Sequence, residues 1–405
     1  MEADYYILEK CRLCNSTNLE VVLSLQSSPI SDEYLVRRRE QPNYPLNLLL
    51  CKGCGFVQID CVINPNVIYK DYIFVTTSSL PLRSHFNDYA TDIIEKANLD
   101  SAMLAIDIGS NEGTLLKEFK SAGLRILGIE PSSEIAALAN KNGIDTICDY
   151  FNPFLAGSIV STNGQADVVT INNVFANIDN LREFMNGLSV LVKEGGYVII
   201  ESSYLVDMLD NMIFDFIYHE HLSYLSIKPL EKLFVEYGFS LVDVVHVDTK
   251  GGSLRYYFQK IADSENRNVN IEPWRRYEEQ KCIYSAKTYQ AYEARIQVEK
   301  EKSHQELNKY AEGSVVGYGA SATTTTLLYH FQLGQKIAYL VDDNPAKVGT
   351  FSPGYHLPIY GPERLYQEPP DAIFIFAWRY AATIIENHPE FTGRFVIPLP
   401  ALTVL

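Results

Sequence analysis

The run M-L-A-I-D-I-G-S-N-E-G-T-L, from Met103 to Leu115, constrains the fold more than any other stretch. Apolar residues around Asp107, then Gly109-x-x-x-Gly113 and a helical pattern, predict a parallel strand, a tight turn and a helix N-terminus. After Ser121-Ala122-Gly123 a second apolar run, Leu124 to Ile129, ends in Glu130-Pro131. Two strands joined by a helix in this way make half of a nucleotide-binding α/β unit. Glu130 falls about 20 residues beyond the turn, where an acidic side chain takes the two ribose hydroxyls of a nucleoside. A dinucleotide site would instead carry G-x-G-x-x-G, with a pyrophosphate over the helix N-terminus. The second glycine of that pattern is missing and Asp107 precedes the first, which suits a ligand with an ammonium and no phosphate. S-adenosylmethionine is such a ligand.

D-I-G-S-N-E-G followed by G-I-E-P resembles the class I methyltransferases. The resemblance implies cofactor contacts from Asp107, Gly109, Asn111, Gly113 and Glu130. The pattern continues as helix 114–122, strand 124–129, helix 132–142, strand 144–148 and strand 167–173, an alternation that predicts an α/β, doubly wound, Rossmann-like sheet. Asp149 ends the fourth element, where such methyltransferases often bind the adenine amino group, and Asn172 reaches the carboxyl edge of the fifth. A helical period precedes the sheet from Leu82 to Leu99, and Gly251 to Phe258 is expected as an edge strand closing it.

Four of the seven cysteines form two knuckles, Cys11-x-x-Cys14 and Cys51-x-x-Cys54. Four thiolates so arranged fit tetrahedral zinc with no open position, a structural site in an N-terminal lobe. Cys61, Cys148 and Cys282 have no partner pattern and are expected as small buried hydrophobes. The 405 residues carry a formal charge of −16, which argues against a nucleic-acid partner. No apolar run is long enough for a membrane span and Met1 to Tyr5 lacks the features of a signal peptide, so a monomeric cytoplasmic protein is expected. Three domains follow: a zinc lobe over 1–70, a methyltransferase domain over 71–265 and a second Rossmann-like lobe over 266–405.

Chemistry points to Phe214-Asp-Phe-Ile-Tyr-His-Glu-His-Leu-Ser-Tyr224, where alternating aromatic and ionisable residues should turn one face to a cleft. Histidine is the side chain whose ordinary pKa allows proton abstraction near neutrality. Tyr69 to Ser79, including Tyr72, is rich in aromatics and hydroxyls and suits either a cover for a sugar or a linker. Tyr277 to Tyr310 reads as a long helix or helix pair with a solvated charged face. The last lobe opens with Gly317-x-Gly319-x-x-Ala322 and reaches the acid Asp342, a pattern that keeps an NAD-dependent oxidoreductase open as an alternative. The same lobe can also hold a nucleotide diphosphate on its helix N-terminus without redox chemistry.

Taken together, the knuckles, Y-H-E-H (Tyr218 to His221), G-G-S-L-R (Gly251 to Arg255) and G-Y-G-A (Gly317 to Ala320) resemble the sugar C-methyltransferases of deoxysugar biosynthesis. The resemblance implies methylation at C3 of a nucleotide-linked 4-keto-6-deoxyhexose, with His221 as the base. Carbon methylation needs an enolate, so the expected roles are proton removal by His221, oxyanion stabilisation by Tyr218 and orientation by Glu220, with Tyr72 nearby. His219, Tyr224, Arg255, Tyr318, Ser321 and Asp342 are the expected contacts to the nucleotide sugar. Several positions depart from the family pattern: Phe74 replaces a tyrosine, Asn177 a histidine, and Thr323-Thr-Thr-Thr326 a Lys-Gly-Asn-Thr run.

Overall fold

The computed structural model describes residues 4–68, 80–261 and 271–405. Tyr72 and Phe74 lie outside the described residues. Its largest sheet has seven strands in the order Phe239–Val247, Ser253–Lys260, Val192–Ser203, Ala166–Asn172, Leu104–Ile108, Arg125–Ile129 and Thr146–Ile147. Neighbours are parallel except at Ser253–Lys260, which runs antiparallel to both of its partners. All five residues of Leu104–Ile108 are buried, as a central strand between two helical layers requires. Strand order reverses at this strand, and open α/β sheets bind ligands at the carboxyl edge of such a reversal.

Two expectations are corrected. The Gly251 to Phe258 run forms no edge: Ser253–Lys260 lies inside the sheet, and Phe239–Val247 is outermost. Its polar residues look like an edge strand in sequence, but Arg255 and Tyr257 are buried on one face as Leu254, Tyr256 and Phe258 are on the other. Cys61 is buried as expected, whereas Cys148, just past the edge strand Thr146–Ile147, and Cys282, in the turn between two helices, are exposed.

The knuckles belong to a four-stranded antiparallel sheet ordered Ser223–Tyr224, Val57–Ile59, Tyr44–Cys51 and Leu19–Ser28. Its first strand comes from the far end of the Y-H-E-H stretch, so the zinc lobe and the methyltransferase domain share a sheet. The connecting segment is a helix pair, Glu272–Gln280 and Ala286–Leu307, broken where Cys282 adopts a left-handed φ of 52°. The second helix buries Tyr289, Tyr292 and Ile296. The last lobe is a six-stranded sheet, parallel but for its final strand, in the order Ile359–Tyr360, Leu340–Val341, Val315–Tyr318, Ala372–Ile375, Arg394–Ile397 and Thr403–Val404. One apolar core runs without interruption through all three parts, from Leu48 through Ile106 and Ile171 to Leu327 and Phe374. Among the described residues, no helix is long and apolar enough to cross a membrane.

Candidate active site

At the carboxyl edge of Leu104–Ile108 the chain turns through three left-handed residues, Gly109 (φ 75°), Asn111 (φ 51°) and Gly113 (φ 81°). A Cβ on Gly109 would lie 2.3 Å from Val174, and one on Gly113 2.6 Å from Ile144, so both glycines are demanded by packing as well as by dihedral. Glu130 accepts the Asn111 amide at 3.1 Å and the Ser132 amide at 2.9 Å, which fixes its carboxylate beside the turn. Burial pushes its pKa up, against those two amides. Asp107 accepts the Thr170 hydroxyl at 2.6 Å and the Asn172 amide at 3.4 Å, and burial pushes it up to about 7. The charge of Glu130 adds to that rise, so the two acids share one field, and among the described residues neither has a cationic ion-pair partner. A cation binding between them would relieve this cost. Asn172 also accepts the Tyr89 hydroxyl at 2.7 Å. Asp149 is exposed and accepts the Tyr150 amide at 2.8 Å, and the Tyr150 hydroxyl feels the charge of Glu130. The acids flanking this edge thus fit a cationic nucleoside ligand, with Glu130 placed to hold ribose hydroxyls.

The Y-H-E-H stretch is not a half-exposed strand. Phe214–Phe216 is a single 3-10 turn, the chain after it is irregular, and Phe214, Asp215, Ile217, His219 and Glu220 are all buried. Its two acids are satisfied inside the protein instead of facing water. Asp215 takes the Trp378 indole N–H at 3.0 Å and an ion pair from Arg379 at 2.9 Å, and Glu220 takes the Ser31 hydroxyl at 2.8 Å. Burial raises Glu220 to about 7.

His221 donates through Nδ1 to the Phe216 carbonyl at 3.2 Å, because that oxygen can only accept. In the neutral ring this leaves the lone pair on Nε2, which lies 3.1 Å from the Tyr218 hydroxyl, and the two rings stack with centroids 4.2 Å apart. The imidazole is pushed down to about 3, by burial first and by the charge of Lys250 second, so it is neutral across the physiological range. His221 and Tyr224 line a small cavity with Asn173, Ala176, Ser202, Ser203, Met208 and Ser223. Asn173 and Ser203 end the neighbouring strands Ala166–Asn172 and Val192–Ser203, so the imidazole stands at the edge where Asp107 and Glu130 gather.

The other expected site residues are dispersed. His219 is buried with Nε2 3.1 Å from the Pro45 carbonyl of the zinc lobe, and burial lowers it to about 4. Arg255 pairs with Glu201 at 2.9 Å and Asp92 at 3.0 Å while stacking on Tyr89. In the last lobe Tyr318 bonds to Asp343 at 2.9 Å and to His388 at 3.0 Å. Asp342 accepts the Ala320 amide at 2.6 Å, and Ser321 caps the helix Ala322–His330. Thr323 to Thr326 are buried: Thr325 donates to the Ser31 carbonyl at 2.7 Å and Thr326 to the Ile217 carbonyl at 3.1 Å, so the run joins lobes. Asn173 closes an apolar strand with a left-handed φ of 56°, whereas Lys250, at φ 55°, was not found from sequence.

The four knuckle sulfurs lie within 4.8 Å of one another, with Cys11 to Cys54 at 3.7 Å and Cys14 to Cys51 at 3.6 Å. Tetrahedral zinc with thiolates at about 2.3 Å places its sulfurs roughly 3.8 Å apart, so the set fits the ion and leaves no open position.

Sheet order, acid-lined turn and four-thiolate cluster together define an S-adenosylmethionine-dependent methyltransferase that carries zinc. The family models match in series: "Putative zinc binding domain" over residues 11–69, "Methyltransferase domain" over 82–244 and "C-methyltransferase C-terminal domain" over 248–400. The C-methyltransferase NovU of Streptomyces niveus is 30% identical over 98% of this chain and 97% of its own length. This chain belongs to the S-adenosylmethionine-dependent C-methyltransferase family. Among solved structures it is similar to the magnesium protoporphyrin IX methyltransferase of Synechocystis, at 15% identity and a TM-score of 0.34 over 48% of this chain and 88% of that one. A Clostridium acetobutylicum S-adenosylmethionine-dependent methyltransferase matches at 15% identity and a TM-score of 0.35 over 49% and 96%.

Proposed function

We propose that this C-methyltransferase acts at C3 of a nucleotide-linked 4-keto-6-deoxyhexose through an enolate, with His221 as the base. The observation that carries the proposal is the tautomer of His221, with Nε2 the unprotonated nitrogen, beside a cavity shared with the ends of two central strands. A ketone beside the reacting carbon makes its C–H acidic. His221 takes that proton on Nε2, the C–H electron pair becomes the C=C bond, and the carbonyl π pair moves onto oxygen. The imidazolium so formed keeps its Nδ1–H on the Phe216 carbonyl and gains the enolate as counter-charge. The Tyr218 hydroxyl, which in this structure lies against Nε2, would donate to the oxyanion once a substrate occupies that position. S-adenosylmethionine supplies an electrophilic methyl group when bound. Asp107 and Glu130 would hold it, and Asn172 and Asn173 end the strand whose edge the cavity of His221 shares. The last lobe, with its Gly317-x-Gly319 turn, is assigned to the nucleotide diphosphate, while the zinc cluster serves folding.

The test is incubation of the enzyme with a thymidine-diphosphate 4-keto-6-deoxyhexose in heavy water, with and without S-adenosylmethionine. Deuterium should enter the carbon next to the ketone without the methyl donor, and His221→Asn should lose both exchange and methylation while binding S-adenosylmethionine normally. Exchange at the wild-type rate in that variant would remove His221 from the mechanism.

A further inference from the structure

We infer that Arg12 is a positioning residue for His221, through which the zinc lobe holds the base in line. Arg12 sits between the first two knuckle cysteines, and its side chain is only 1% exposed. Its backbone amide donates to Gln58 at 3.0 Å. Its Nη1 donates to two carbonyls, Ile59 at 3.0 Å and Leu222 at 3.2 Å, and its Nε pairs with Asp179 at 3.2 Å. Leu222 is the residue after His221, and the Ile59 amide meets the same carbonyl at 3.0 Å. Beyond it Ser223 and Tyr224 pair with Gln58 and Val57, so the guanidinium is fixed at the seam where this segment joins the zinc-lobe sheet.

A buried guanidinium costs desolvation that one surface carboxylate does not repay, so its retention needs the carbonyls it reaches. The Leu222 carbonyl belongs to the residue directly after His221, and the Ile59 carbonyl to the zinc-lobe strand beside it, so the guanidinium ties the two backbones together. Among the described residues the imidazole has two hydrogen-bond anchors, the Phe216 carbonyl and the Tyr218 hydroxyl, both within five residues of it in the chain. An anchor outside that segment is therefore what fixes it against the central sheet, and Arg12 supplies a charged one from a loop that the metal closes. Misplacement of a base by about 1 Å can cost on the order of a hundredfold in rate.

The inference rests on His221 being the base, and the experiment separates the two. In the full-length zinc-loaded enzyme, Arg12→Lys keeps the charge but replaces a rigid fork by a single mobile ammonium. We expect one zinc per chain, S-adenosylmethionine affinity within about twofold of wild type, kcat and substrate deuterium exchange lowered about tenfold to a hundredfold, and little change in KM. Backbone amide exchange of residues 217–226, followed by mass spectrometry without any substrate, should quicken in Arg12→Lys and stay unchanged in His221→Asn. If the lysine variant does not fold, Asp179→Asn loosens the same guanidinium from the surface and should give the same pattern more weakly. Normal kcat, or unaltered amide exchange over 217–226, in a zinc-loaded variant overturns the inference. Wild-type substrate exchange in His221→Asn overturns the base assignment, and Arg12 falls with it as a positioning residue for that base.

Discussion

Glu130 and Glu220 are both buried carboxyls, yet they answer to different tests. Glu130 is held by two backbone amides at 3.1 and 2.9 Å, with lone pairs left to accept ribose hydroxyls. Glu130→Ala should therefore weaken S-adenosylmethionine binding about tenfold to a hundredfold, the loss of charge-assisted hydrogen bonds worth ~1.5–3 kcal/mol, and calorimetry would read it. An unchanged dissociation constant would move the ribose elsewhere. Glu220 keeps its proton in the folded chain up to about pH 7, against 4.5 for the ordinary group, because burial disfavours the carboxylate more than the Ser31 hydroxyl supports it. Between those values the folded state binds more protons than the unfolded one, so this residue's contribution to stability is complete below pH 4.5 and lost as pH rises through 7. Glutamine has no such dependence. Urea melts should show Glu220→Gln gaining on wild type by on the order of 2–3 kcal/mol between pH 4 and pH 8. His219 and His221, pushed down to about 4 and 3, lose stability as pH falls below 6.5, but they are common to both chains and cancel in the comparison.

Whole elements differ in how much of them a sequence reveals. The strand and turn from Leu104 to Gly113, and the acid closing Arg125–Ile129, were legible because their signals are local: an apolar run, glycines at left-handed positions, and an acid two strand-ends away. The 214–224 segment misled, because its polar groups are satisfied by residues that period-two reasoning does not see. Asp215 meets Trp378 and Arg379 from 163 and 164 residues away, and His219 meets the Pro45 carbonyl from 174 away. A buried ion pair compensated at such distance lets most of a polar-looking stretch lie inside, with Tyr218 and His221 half-buried. Ser253–Lys260 misled for the same reason, since Arg255 is neutralised by Glu201 and Asp92. Removing one partner should show how much is at stake: Asp215→Ala strands the Arg379 guanidinium, which is 15% exposed, and should cost about 3 kcal/mol. A denaturation midpoint equal to wild type would mean that Arg379 finds water or another acceptor.

At the scale of the molecule, the segment around His221 is where the three lobes meet. The zinc lobe reaches it through Arg12, Pro45 and the pairing of Ser223 with Gln58. The last lobe reaches it through Thr326 on the Ile217 carbonyl and through Trp378 and Arg379 on Asp215. The central domain closes on its far end, where the Leu205 amide meets the Leu225 carbonyl at 3.1 Å. Among the described residues, Asp107 and Glu130 take their hydrogen bonds from Asn111, Ser132, Thr170 and Asn172, all in the seven-stranded domain. Cofactor binding and the placement of His221 should therefore separate when an outer lobe is damaged. Cys51 ends the strand Tyr44–Cys51, which pairs with Val57–Ile59, which in turn carries Ser223–Tyr224. With Cys51→Ser the four-thiolate site opens, the lobe loses the folding free energy that the metal contributes, and disorder passes along those pairings to His221. The soluble fraction of that variant should hold no zinc and bind S-adenosylmethionine within about threefold of wild type, yet transfer methyl groups at least about a hundredfold more slowly. Metal analysis, calorimetry and a labelled-methyl assay on one preparation decide it. Metal-free protein with full activity would show that the zinc lobe has no hold on the base, and equal losses of cofactor affinity and turnover would show that the lobes do not divide the work in this way.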